Sequence, residues 1–134
     1  MQTLKKTFAS ALILSVFAIG CKKDAHTPPV ITLKTGVGYI SEDGIVARNQ
    51  SIKAGLTAAK TEDNMTSLNV SYAYDNSSST ITFKTFSLEG TEQEHCDRNI
   101  LFTTRNQAGT EKWIFTITDK DGNVSQKQLA LTVQ

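Results

Sequence analysis

Trp113-Ile-Phe-Thr-Ile-Thr-Asp-Lys-Asp-Gly-Asn-Val124, running on as Ser125-Gln-Lys-Gln-Leu-Ala-Leu-Thr-Val133, is the stretch that decides the fold. Trp113, Phe115 and Ile117 alternate with smaller or polar neighbours, which places three large apolar groups on one face of a strand. Asp119 to Asn123 then carries turn chemistry. Gly122 supplies a φ > 0 position, and short Asp and Asn side chains bond back to their own backbone. Leu129, Leu131 and Val133 resume the alternation. The stretch predicts a β-hairpin that holds the heaviest part of a core, against which every other segment packs.

Upstream, the same period of two recurs. Ile31 and Leu33 alternate with Thr32 and Lys34. Gly36 and Gly38 bracket a kink before Tyr39 and Ile40, and Ser41 to Gly44 reads as a turn. Ile52, Ala54, Leu56 and Ala58 form a second strand, and Leu68, Val70, Tyr72 and Tyr74 a third. A fourth starts at Ile81 and Phe83 and runs to Leu88, with a bulge expected at Phe86. Gly90 to Arg98 reads as charged and irregular, and Ile100 to Thr104 as a fifth strand. Lys60 to Thr66, Asp75 to Ser79 and Asn106 to Gly109 are polar loops or turns.

With the hairpin, that makes about seven short strands and no helical period after residue 20. The expected fold is all-β, an antiparallel sandwich of immunoglobulin size spanning residues 30–134, with a small barrel as the alternative. The whole chain has 134 residues, enough for one domain. Its end resembles bacterial immunoglobulin-like domains of cell-envelope lipoproteins. The matching residues are Phe102-Thr-Thr-Arg105 and Ala108 to Asn123, an aromatic-rich strand ending in a Thr-Asp-x-x-Gly-Asn turn. That resemblance implies a fold and carries no catalytic residue across.

The first twenty residues read as a targeting segment. Lys5 and Lys6 precede an apolar run of twelve, Phe8 to Ile19. As a helix it would span ~18 Å, short of the ~30 Å hydrocarbon core, so it reads as a cleaved signal segment and not a lasting span. Ala18-Ile19-Gly20-Cys21 resembles a bacterial lipobox, which implies that Cys21 is lipidated and becomes the new N-terminus. Two or more acyl chains such as palmitate anchor stably. Residues 21–29 would then be a tether ending in Thr27-Pro28-Pro29, extended by its prolines. By the same resemblance, Lys22 after the cysteine implies the outer membrane, on its periplasmic or its surface face. Removing Lys5 and Lys6 from 14 basic residues leaves 12 against 13 acidic ones. With no basic stripe, no nucleic-acid partner is expected.

The candidate chemistry is thin. Asp119, Asp121 and Asn123 superficially resemble a calcium loop, but Gly122 stands fourth and no distal Glu follows. His95 and Cys96 are adjacent, so in an extended segment they face opposite ways. Glu89, Glu92, Glu94 and Asp97 form an acidic group with compensating basic neighbours. His26 stands alone in the tether. Tyr39, Tyr72, Tyr74 and Trp113 could stack on sugars only if at least two share an exposed patch. The expectation is therefore a membrane-anchored, non-catalytic binding, adhesion or structural module, with Cys21 as its one site residue and no catalytic residue, cofactor or metal site. A protein or a glycan is the expected partner. The alternatives are a carbohydrate-binding accessory lipoprotein of a glycan uptake system and a small hydrolase.

Overall fold

The computed structural model describes residues 26–134. The apolar segment, Cys21 and the first part of the tether lie outside the described residues. Among those described, no helix is long and apolar enough to cross a membrane.

Eight strands follow one another: β1 (Val30–Leu33), β2 (Gly44–Val46), β3 (Ser51–Ala59), β4 (Met65–Tyr74), β5 (Ile81–Ser87), β6 (His95–Thr103), β7 (Gly109–Asp119) and β8 (Val124–Val133). They build two sheets, one ordered β1-β3-β6 and the other β2-β8-β7-β4-β5. All pairings are antiparallel except β2 against β8. The hairpin expected from Trp113 to Val133 is β7–β8, in register from Gly109↔Val133 to Thr118↔Val124.

The core lies between the sheets. Phe115, Ile117, Leu129 and Leu131 of the hairpin meet Leu56 of β3 and Leu68 of β4 there, all fully buried. Each such side chain contributes about 1.5–3 kcal/mol relative to exposure, which is why the alternating runs win over other pairings. Trp113 stacks on Phe102 across the two layers, ring centroids 3.7 Å apart.

Three details depart from the sequence reading. Gly44 starts an eighth strand, because a three-residue segment pairs with the free side of β8. The stretch Gly90 to Arg98 is not irregular throughout. Gly90–Gln93 forms a 3₁₀ turn, and β6 already begins at His95, drawn in by its register with Ala59. The bulge sits at Phe83 and not Phe86, since Val70 pairs with Lys84 and Ser71 with Thr82. Tyr72 packs against the core only half-buried, while Ser71 and Ala73 are buried on the opposite face.

The described end of the tether lies on the sandwich. Thr61 donates its hydroxyl to the carbonyls of Thr27, 2.5 Å, and Pro28, 3.0 Å, while Ser125 donates to that of Pro29.

Candidate functional site

β5 and β6 are each the outermost strand of their sheet. They border a cavity of about 260 Å³ lined by Phe83, Lys84, Phe86, Asn99, Ile100 and Leu101. Six of the seven residues of β5 are exposed, and Phe86 is half-buried. Ile81 at 53 %, Phe83 at 43 % and Leu101 at 64 % keep large apolar surfaces in water. Single exposed apolar residues are ordinary, but a cluster beside an unpaired strand edge marks a surface for association.

The bulge builds this flank. The extra residue turns the Phe83 ring edge-on to Trp113, centroids 5.3 Å apart and planes at 80°. Trp113 also meets Tyr72 at 5.0 Å, and Tyr72 meets Tyr74 at 5.0 Å. Behind them Glu111 is fully buried. Its carboxylate accepts from Trp113 Nε1 at 3.0 Å and from the Arg105 backbone N–H at 2.7 Å. Arg105 forks onto Asp75 at 2.8 and 2.5 Å. The guanidinium beside Asp75, with the Thr110 backbone N–H, holds that carboxyl below its usual range. The flank thus has a fixed wall of rings behind a half-exposed Phe83.

The four aromatics weighed for sugar stacking do not form an exposed patch. Trp113 is buried, and Tyr39, Tyr72 and Tyr74 are half-buried. Tyr39 lines a different cavity of about 430 Å³ with Ile40, Ile45 and Lys53. Lys53 Nζ stands 4.4 Å from its ring centroid, and Arg105 stands 4.5 Å from that of Tyr74. The aromatic with free surface is Phe83, whose signal in the sequence was the break in β5 alternation, there assigned three residues late.

The remaining candidates are dispersed or spent. His95 is exposed and Cys96 buried on the opposite face of β6. Burial pushes the Cys96 thiol up, with Glu92 adding to the effect, so the thiolate nucleophile is disfavoured. The acidic group is divided among separate cations: Glu92 with Arg98 at 2.6 Å, Glu94 with Lys60 at 2.7 Å, and Asp97 with Lys34. No two of these carboxyls share a proton-bearing arrangement. Asp119 accepts from the backbone of Asp121 and Asn123 and from the Asn123 amide, at 2.8–3.0 Å. Burial alone would raise its pKa, but the Asn123 and turn amides outweigh that and hold it below the usual carboxylate range.

His26 is not alone in space. Its Nδ1 lies 3.5 Å from Asp63, 3.6 Å from Asp121 and 3.8 Å from Glu62. His26, Asp63 and Asp121 place one donor atom each within 4.8 Å of one another. The sequence separates them by 37 and 58 residues, so no local spacing could reveal the group.

No family model matches the sequence, and no curated protein matches it. Solved structures do resemble it. A chitin binding domain from Burkholderia pseudomallei superposes with a TM-score of 0.50 at 7% identity, over 70% of this chain and 58% of that one. Two short strands lead the chain, β1 in the three-stranded sheet and β2 in the other, and the sequence-final hairpin lies in the five-stranded layer, as in immunoglobulin sandwiches. The fold is immunoglobulin-like. A family 123 glycoside hydrolase from Clostridium perfringens gives 0.47 at 6% identity, over 80% of this chain and 27% of that one. Murine CRIg gives 0.43 at 8%, over 81% and 99%. The immunoglobulin-like sandwich is compatible with a binding or structural module, and it is the β5–β6 flank that offers a surface.

Proposed function

We propose that the protein is a lipid-anchored, non-catalytic binding module of the cell envelope. Cys21 carries the acyl chains, residues 21–29 tether the domain, and the outer membrane holds it. The β5–β6 flank takes an extended segment of a partner protein. The observation that carries this reading is the conjunction of an unpaired β5 edge with the exposed Phe83 and Leu101 around one cavity. Main-chain bonding to such an edge supplies affinity, and alternate side chains dropping into the cavity supply specificity.

A second reading is favoured by the half-exposed Phe83 ring beside the Asn99 amide, a pairing of stacking face and hydrogen-bonding group suited to an N-acetylated sugar. The chitin binding domain that shares this fold suggests a concrete probe for that reading, an N-acetylglucosamine oligomer. The two readings separate in one experiment. A photo-reactive phenylalanine analogue at Phe83 or Leu101, in intact native cells, is expected to give one discrete protein adduct, and none at Gln128. Equal patterns at all three positions, or none, contradict the protein-binding reading. Phe83-dependent binding of the oligomer to the purified chain moves the assignment to the glycan. Mass spectrometry of the mature N-terminus tests the anchor, with acylated Cys21 expected and a free cysteine contradicting it.

A further inference from the structure

We infer that His26, Asp63 and Asp121 form a binding site for a divalent cation of the zinc type, and that the ion locks the tether onto the sandwich. Three loops supply the ligands. His26 comes from the tether, Asp63 from the β3–β4 connection and Asp121 from the β7–β8 turn.

The distances carry the argument. An imidazole nitrogen bonded directly to a carboxylate through a proton stands about 2.7–3.2 Å away. Here Nδ1 stands 3.5 and 3.6 Å from the two Asp oxygens. Two ligands at about 2.1 Å from one zinc, at a tetrahedral angle, stand about 3.4 Å apart. The observed spacing therefore suits donors around a shared ion better than donors bonded to each other. The mixed set of one imidazole and two carboxylates is also the chemistry that a borderline divalent cation takes.

The surroundings favour the same assignment. The Glu62 carboxylate accepts from the Thr27 backbone N–H at 3.1 Å, so it fixes the residue beside the His26 ligand and adds negative charge. The opposing cation is Lys120, 69 % exposed and 3.8 Å from the other oxygen of Asp63. Such a side chain swings into solvent at little cost. Asp119, by contrast, spends its carboxylate on turn amides, which leaves Asp121 of the same turn free to face His26. Three protein ligands leave a fourth position for water.

The consequence is mechanical. His26 lies five residues after Cys21 in the sequence. An ion held between the tether and two loops would fix where the chain leaves the sandwich and so set the angle at which the domain stands on the membrane.

The test is calorimetric titration of zinc into the chelator-treated full chain in detergent. One zinc per chain is expected. His26→Ala, Asp63→Asn and Asp121→Asn should each weaken it at least about tenfold, while His95→Ala leaves it unchanged. Near-ultraviolet circular dichroism confirms that each variant is folded, and cobalt should give the intense visible bands of a tetrahedral site that His26→Ala abolishes. No heat of zinc binding, or binding that survives His26→Ala, overturns the inference. An unfolding midpoint that depends on pH through His26 with no response to zinc assigns the cluster to a protonated imidazole and overturns it equally.

Discussion

β7 and β5 are the two neighbours of β4, one on each side, and they have opposite fates. β7 buries Trp113, Phe115 and Ile117 and gives both of its edges to other strands. β5 carries residues of similar apolar type in Ile81, Phe83 and Phe86, yet most of its surface faces water and one edge is unpaired. The difference is positional and not compositional. A strand with a neighbour on each side and a sheet beneath has no water left to lose. A strand at the rim keeps its apolar groups available to something outside the chain.

The contrast breaks most sharply at Phe115. Phe115→Ala should destabilise the fold by about 3–5 kcal/mol, through lost burial and a residual cavity, measured by denaturant unfolding. Trp113→Phe keeps a ring but removes the donor to the buried Glu111. It should cost about 1–3 kcal/mol, and the penalty should change in a Glu111→Gln background, because the two side chains are bonded partners.

Gly109 sharpens the comparison at the start of β7. Its φ is +146°, and a side-chain carbon there would land on Arg105 and Asp75. Gly109→Ala should cost about 1 kcal/mol or more and open that ion pair, seen as loss of the Asp75 carboxyl's depressed pKa by nuclear magnetic resonance. Asp119 gives a pH dependence to the hairpin. Its folded pKa lies below the unfolded value, so its contribution is present above the ordinary carboxylate pKa, ~3.9, and is lost as pH falls through the folded one. Unfolding midpoints should therefore drop on acidification below about pH 4, and less so in Asp119→Asn.

The smallest stability effect belongs to the rim. Phe83→Ala should cost about 1 kcal/mol, from one edge-on ring contact and a partly covered side chain, while abolishing the adduct formed at Leu101. A large loss of stability would place Phe83 in the core and leave the flank without its exposed ring.

The legibility of the chain follows the same division. Hairpin β7–β8 was readable because, apart from Ile114, burial of large side chains there is one-sided along each strand, and a period of two records it. The β3 and β4 runs were readable for the same reason up to Val70. β2 was hidden, since three residues leave no period and Gly44 looks like a turn. The first half of β6 was hidden because His95 and Asp97 point outward at an edge, where charge is tolerated in a strand, and because Arg98, on the face of Cys96, is a cation lying over the Phe86 ring. Phe83 was legible only as a strand residue, because alternation reports a face but not whether a sheet continues beyond it. The His26 group was illegible because its members meet only when two distant loops close on the tether.

Residue-resolved amide hydrogen exchange on the purified chain tests the central contrast most directly. The account predicts that the paired amides of β7 exchange only through global unfolding, while the outward amides of Ile81–Ser87 exchange orders of magnitude faster. β5 amides uniformly as slow as those of β7 would contradict it, because the flank would then be closed.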